Sequence, residues 1–173
     1  MGLYFVANGP MPTTASQATV TTGTTILTML QLKMGASTNQ VLKVVEWGIS
    51  FDGSAAALPI KCELLSTVAI GATITEFVAA DIINIGDPNA GAVTDDFPLA
   101  FTAAGDESGY TATAEGTITA TRMFDVQLIA PTNQYVKQFP LGREPCIKNT
   151  EFLRIRVKAG TAVNAYCYII FEV

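Results

Sequence analysis

Period-2 alternation of apolar and polar residues runs through most of this chain and restricts it to a sheet protein. In "VLKVVEWGISF" (41–51), Val41, Val45, Trp47, Ile49 and Phe51 fall on one face. In "LPIKCEL" (58–64), Leu58, Ile60, Cys62 and Leu64 face one way and Lys61 and Glu63 the other. In "TRMFDVQLIA" (121–130), Phe124, Val126 and Leu128 form the expected core face, against Asp125 and Gln127. In "EFLRIRVKA" (151–159), Leu153, Ile155 and Val157 alternate with Arg154, Arg156 and Lys158. "TILTMLQLKM" (25–34) behaves likewise from Leu30 onward, with Gln31 and Lys33 outward. Side chains of a strand point alternately to its two faces, so these segments predict antiparallel strands buried on one side. Between them, "MGASTNQ", "FDGSAAA", "APTNQ" and "KAGTA" supply the Gly, Pro, Asn and Asp that chain reversal needs.

Together these segments predict an all-β, antiparallel β-sandwich of jelly-roll type. A chain of 173 residues suits one domain, able to bury roughly 70% of its unfolded surface. Residues 21–173 are expected to form that domain, and residues 1–20 an N-terminal arm or edge strand. "NGPMPTTASQATVTTGTT" (8–25), with Pro10, Pro12 and its Thr-rich run, has an arm's composition. From 85 to 120 the chain turns rich in Gly, Ala, Thr and Asp, which predicts a long excursion with weak strands at 97–102 and 110–119. "EFVAADIIN" (76–84) is a candidate short helix.

The last segment poses the sharpest question. Val163, Ala165, Cys167, Ile169 and Phe171 share one face, while Tyr166, Tyr168 and Ile170 lie on the other with Asn164 and Glu172. A strand apolar on one face and aromatic on the other is expected to be covered on both. The cover could come from the excursion, the N-terminal segment or a neighbouring subunit. Strands near the threefold axis of trimeric jelly rolls have this character, which favours the neighbour.

Composition narrows function. Charged residues make up 14% of the chain, against about 25% in an average domain. Charge depletion of this kind is typical of interface cores. A net charge of −5 gives no electrostatic footprint for nucleic acid. Arg154, Arg156 and Lys158, the densest basic set, read as a solvated strand face. The start "MGLYFVANGP" has no pattern of a secretory leader, and no run approaches the ~18 apolar residues of a membrane span.

Chemistry is scarce. Histidine is absent, which removes the usual general base, the Ser-His-Asp and Cys-His arrangements and the commonest zinc ligand. Cys62, Cys146 and Cys167 are too few and too widely spaced for a disulfide framework, and Cys62 and Cys167 are expected to be buried free thiols. Such thiols suit synthesis in a reducing cytoplasm. The neighbouring carboxylates Asp95-Asp96 and Asp106-Glu107 would point apart in an extended loop. Asp81, Asp87, Asp95, Asp96 and Asp106 could offer oxygen to calcium, but lack the spacing of a calcium loop. Trp47 falls on a core face. Phe97, Phe101 and Tyr110 are the aromatics the excursion could offer to a sugar. No catalytic, metal or cofactor residue is assigned, and the chain is expected not to be an enzyme.

"EGTITATR" (115–122), "FPLGREPCI" (139–147), "FLRIRVKAGTAVNAYCYIIFEV" (152–173) and "EWGISFDGSAAALPIKCELL" (46–65) resemble small β-sandwich structural proteins of tailed bacteriophages, of the capsid decoration (cement) type. The likeness covers roughly two-thirds of the chain and is weakest in 1–25 and 80–110. It implies a jelly-roll-like homotrimer without enzyme activity. Its implied place is the exterior of the virion and its implied partner the major capsid protein, with neither nucleic acid nor membrane bound. Two other readings of the same fold are a head-fibre or tail module that recognises a host glycan, and a single-jelly-roll coat subunit.

Overall fold

The computed structural model describes residues 2–35, 39–54, 57–69, 71–93, 97–100 and 107–173. Two antiparallel sheets pack face to face. The first, sheet A, is built from β1 (Leu3–Ala7), β4 (Leu42–Asp52), β10 (Gln134–Gln138) and β13 (Asn164–Glu172), with three two-residue additions, β2 (Val20–Thr21), β7 (Ile83–Asn84) and β11 (Cys146–Ile147). The second, sheet B, contains β3 (Leu27–Lys33), β5 (Ile60–Ala69), β6 (Thr73–Glu76), β8 (Gly109–Ala114), β9 (Ile118–Ile129) and β12 (Glu151–Lys158).

Setting aside β6, β8 and the two-residue strands leaves eight strands in two rows. Sheet A runs β1-β13-β4-β10 and sheet B runs β3-β12-β5-β9. Numbered one to eight along the chain, the rows read 1-8-3-6 and 2-7-4-5, the strand order of a jelly roll. The alternating residues therefore sort as expected for β12 and β13: Leu153, Ile155, Val157, Ala165, Cys167, Ile169 and Phe171 all lie in the core.

Two strands sort differently. In β4 a register shift opposite Ile170/Phe171 inserts Val45, which turns Val45 outward and brings Leu42 and Val44 into the core. In β9 Phe124 packs against the core as expected, but a register shift there reverses the rest of the face: Asp125 is buried, while Val126 and Leu128 are 46% and 73% exposed. The strand lies at the end of sheet B, where Asp125 meets donors from sheet A and the apolar side chains look out.

The excursion is longer than the composition suggests. It leaves after β5, crosses to the far end of sheet B as β6, and turns through a short 3-10 segment, Ala79–Asp81, where a helix was a candidate. It then pairs with β1 as β7 and returns as β8 beside β3. Phe77, Ile82 and Leu99 join the core, so the excursion closes the β1/β3 side of the sandwich. Leu99 bridges Met34, in place of the weak strand expected at 97–102; residues 101–102 lie outside the described residues. The segment expected at 110–119 divides into β8 and the start of β9.

Near the N-terminus, β1 pairs with β13 from Leu3–Glu172 to Ala7–Tyr168. The loop that follows is held at Met11, whose amide donates to the buried Asp81 carboxylate at 2.9 Å, and β2 rejoins β13 at Asn164 and Ala165. No helix among the described residues is long and apolar enough to cross a membrane.

Candidate protein-binding face

The outer face of sheet A carries Phe5 on β1, Tyr166, Tyr168 and Ile170 on β13, and Val136 on β10. Phe5, Tyr166, Tyr168 and Ile170 are half-buried and Val136 is exposed. Strand register brings Val136, Gly48 and Tyr168 side by side. A Cβ on Gly48 would lie 2.4 Å from the Tyr168 ring, so glycine is what lets that ring lie flat across β4. The ring stacks on Phe5 at 5.6 Å between centroids, with 25° between planes. Its hydroxyl donates to Glu46 Oε1 at 2.6 Å. Burial, and then the Glu46 carboxylate, push the Tyr168 phenol well above its usual range. A shallow groove of about 260 Å³ runs beside it, between Ser50, Gln134, Val136 and Tyr166.

The excursion covers the other side of the molecule. Arg154, expected in solvent, is fully buried on the outer face of sheet B and donates to the Glu115 carbonyl at 2.9 Å. Gln31, expected outward, is equally buried: its amide donates to the Glu107 carbonyl and its oxygen accepts from the Ala72 amide. Burial lowers the Arg154 pKa to about 10. Among the described residues, the aromatics of β13 are covered in part by β1, through Phe5, and the excursion reaches this face at β7, where Ile83 lies opposite Phe5.

Asp125 is a centre that alternation alone did not mark. It accepts from Trp47 Nε1 (3.2 Å), the Tyr135 hydroxyl (2.9 Å) and Gln127 Nε2 (2.9 Å), with Lys137 Nζ at 3.5 Å. These residues come from β4, β9 and β10, so the carboxylate ties the edges of both sheets together. Burial and the Asp125 carboxylate raise the Tyr135 phenol to about 12. With its lone pairs committed to donors, Asp125 is a structural clasp rather than an acid-base group.

The remaining candidate residues are dispersed. Cys62 and Cys167 are buried and free as expected, whereas Cys146 is exposed. Burial, and then Glu63, push the Cys62 thiol up to about 12, and burial raises Cys167 well above its usual value, so neither is an activated nucleophile. Trp47 is in the core. Asp81 accepts from the backbone amides of Met11 and Val78, and Asp87 from that of Asn89. Asp95, Asp96, Phe101 and Asp106 lie outside the described residues. Phe97 packs edge-on against Tyr4 and Tyr110 packs on Phe77, so neither forms an open stacking platform. Among the described residues no group of three or more His, Cys, Asp or Glu side chains is placed to hold a metal. Comparison with protein-family models, curated proteins and solved structures finds no match.

Proposed function

We propose that this protein is a non-enzymatic virion structural protein of the capsid decoration type, which attaches as a small oligomer to the outside of a phage head and contacts the major capsid protein. The observation that carries this reading is the outer face of sheet A. It is aromatic and shallow at its centre, where Glu46 is engaged by the Tyr168 hydroxyl, and Lys43, Asp52 and Glu172 lie toward the strand ends; this suits contact with another protein surface better than enclosure of a small substrate. Tyrosines on rigid strands lose little entropy on binding, and many modest contacts repeated by symmetry hold strongly. The likeness of residues 46–65, 115–122, 139–147 and 152–173 to phage decoration proteins supports the same assignment.

The test is co-sedimentation with undecorated heads of the parent phage. The wild-type chain is expected to bind. The variant Tyr166→Lys/Ile170→Lys is expected to fold and to stay in the supernatant. Equal binding by both proteins would overturn the reading. A second reading, a coat subunit, is favoured by one observation: the strand order is that of a single jelly roll. Expression of the chain alone separates the two, since a coat subunit forms closed shells under the electron microscope and a decoration protein stays small.

A further inference from the structure

We propose that this chain associates with copies of itself head to tail, the β9 end of sheet B on one copy receiving the acidic β6–β7 segment of the next. The inference deepens the oligomer of the proposed function and rests on that part of it alone.

Charge is segregated along the chain. Residues 62 to 121 contain no Lys or Arg. The excursion from 70 to 117 carries eight of the fifteen carboxylates, a charge of −8, and the rest of the chain therefore carries +3 of the net −5. Within the excursion, Glu76 and Asp87 are exposed, and Val78 and Ile85, two residues from them in sequence, are 62% and 46% exposed; Ile83, 38% exposed, lies opposite Phe5 at the edge of sheet A. This surface is apolar with a carboxylate rim.

The complementary surface is the outer face of sheet B at its opposite end. Register places Lys158, Lys61 and Leu128 in one row and Arg156, Glu63 and Val126 in the next. Two lysines directly opposite one another repel. Glu63 answers Lys61 at 2.6 Å and Arg156 at 2.8 Å. Lys158 has no ion-pair partner among the described residues. The row is thus apolar with surplus positive charge, and exposed apolar side chains rimmed by charge mark contact sites.

The two surfaces cannot meet within one copy. β6 and β9 end the same six-stranded sheet, and at about 4.8 Å per strand they stand roughly 24 Å apart. The contact is therefore between different patches on different copies, a heterologous interface, which closes into a ring when its rotation permits. Opposite charge also selects this pairing over like-on-like contact of either patch.

Light scattering on the full chain tests this. Wild type is expected to be a multimer whose mass falls as salt is raised. Leu128→Glu/Lys158→Glu alters one patch and Glu76→Lys/Ile85→Lys the other; all four side chains are exposed, so unchanged circular dichroism is expected. Each variant alone should be monomeric, and an equimolar mixture of the two should gain mass above the monomer, since each variant's altered patch then meets its opposite charge on the other. A monomeric wild type, variants that keep the wild-type mass, or a mixture that stays monomeric would each overturn the inference. Head binding through Tyr166 and Ile170 is measured separately, so failure here leaves that result standing.

Discussion

Asp125 holds the two sheets together where neither has a further strand. Its carboxylate gathers Trp47, Tyr135 and Gln127 in one buried place, with Lys137 nearby. Truncating a buried carboxylate strands its donors, so Asp125→Ala is expected to cost about 3 kcal/mol, read from urea midpoints. Tyr135→Phe removes one donor and should cost about 1 kcal/mol. A second residue-scale prediction concerns Gly48. Adding a methyl there meets the Tyr168 ring. Gly48→Ala should swing the ring away, lose its bond to Glu46 and its stack on Phe5, and cost about 1–2 kcal/mol. In the Tyr168→Ala background the same substitution should cost much less, a coupling that a double-mutant cycle measures. The two sites differed in legibility. Alternation alone made Val126 and Leu128 core and Asp125 solvent, because strand period says that faces differ and not which one the other sheet covers. For β13 the face was plain, since five consecutive inward positions are apolar.

At the scale of elements, the excursion is the part least visible in the sequence. Its Gly, Ala and Thr content marked 85–120 as irregular, yet the chain leaves the sandwich near residue 70 and threads β6, β7 and β8 through it. Strands of two to six residues carry too few periods to be read, and their partners β1 and β3 lie far away in sequence. The buried Arg154 is the consequence: on β12 it alternates like a solvent residue, and the returning chain meets it at Glu115, through both carbonyl and carboxylate. Arg154→Ala is expected to destabilise the protein by about 3 kcal/mol, since it removes a buried cation's hydrogen bonds and packing together. Hydrogen exchange should localise the damage. Amides of β8 should lose protection in the variant while those of β4 and β13 keep theirs. Equal loss across both sheets would mean that the excursion and the sandwich unfold as one unit.

The whole molecule is organised around groups kept neutral inside it. Cys62 and Cys167 sit in the core between the sheets, and Tyr135 and Tyr168 are hydrogen-bonded to carboxylates at its surface. All four have pKa values raised in the folded state, Cys62 and Tyr135 to about 12. A raised pKa means that the folded state keeps its proton where the unfolded chain has released it. The associated stability is complete below the unfolded values, 9.0 for the thiols and 10.0 for the phenols, and it declines as pH climbs toward the folded ones. Stability is therefore expected to hold level from pH 7 to 9 and then fall with increasing slope up to pH 12. Chemical denaturation at half-unit intervals of pH measures the profile. Cys62→Ala/Cys167→Ala should flatten the portion that begins near pH 9, and Tyr135→Phe the portion that begins near pH 10, although each variant starts from lower stability at pH 7. Profiles that keep the wild-type slope after these substitutions would place the titrating groups elsewhere. At the acid end the sign reverses. Burial alone would raise Glu63, but hydrogen bonds from Lys61 and Arg156 outweigh it and hold the carboxylate below 4.5, so its contribution is lost only as pH falls beneath that value.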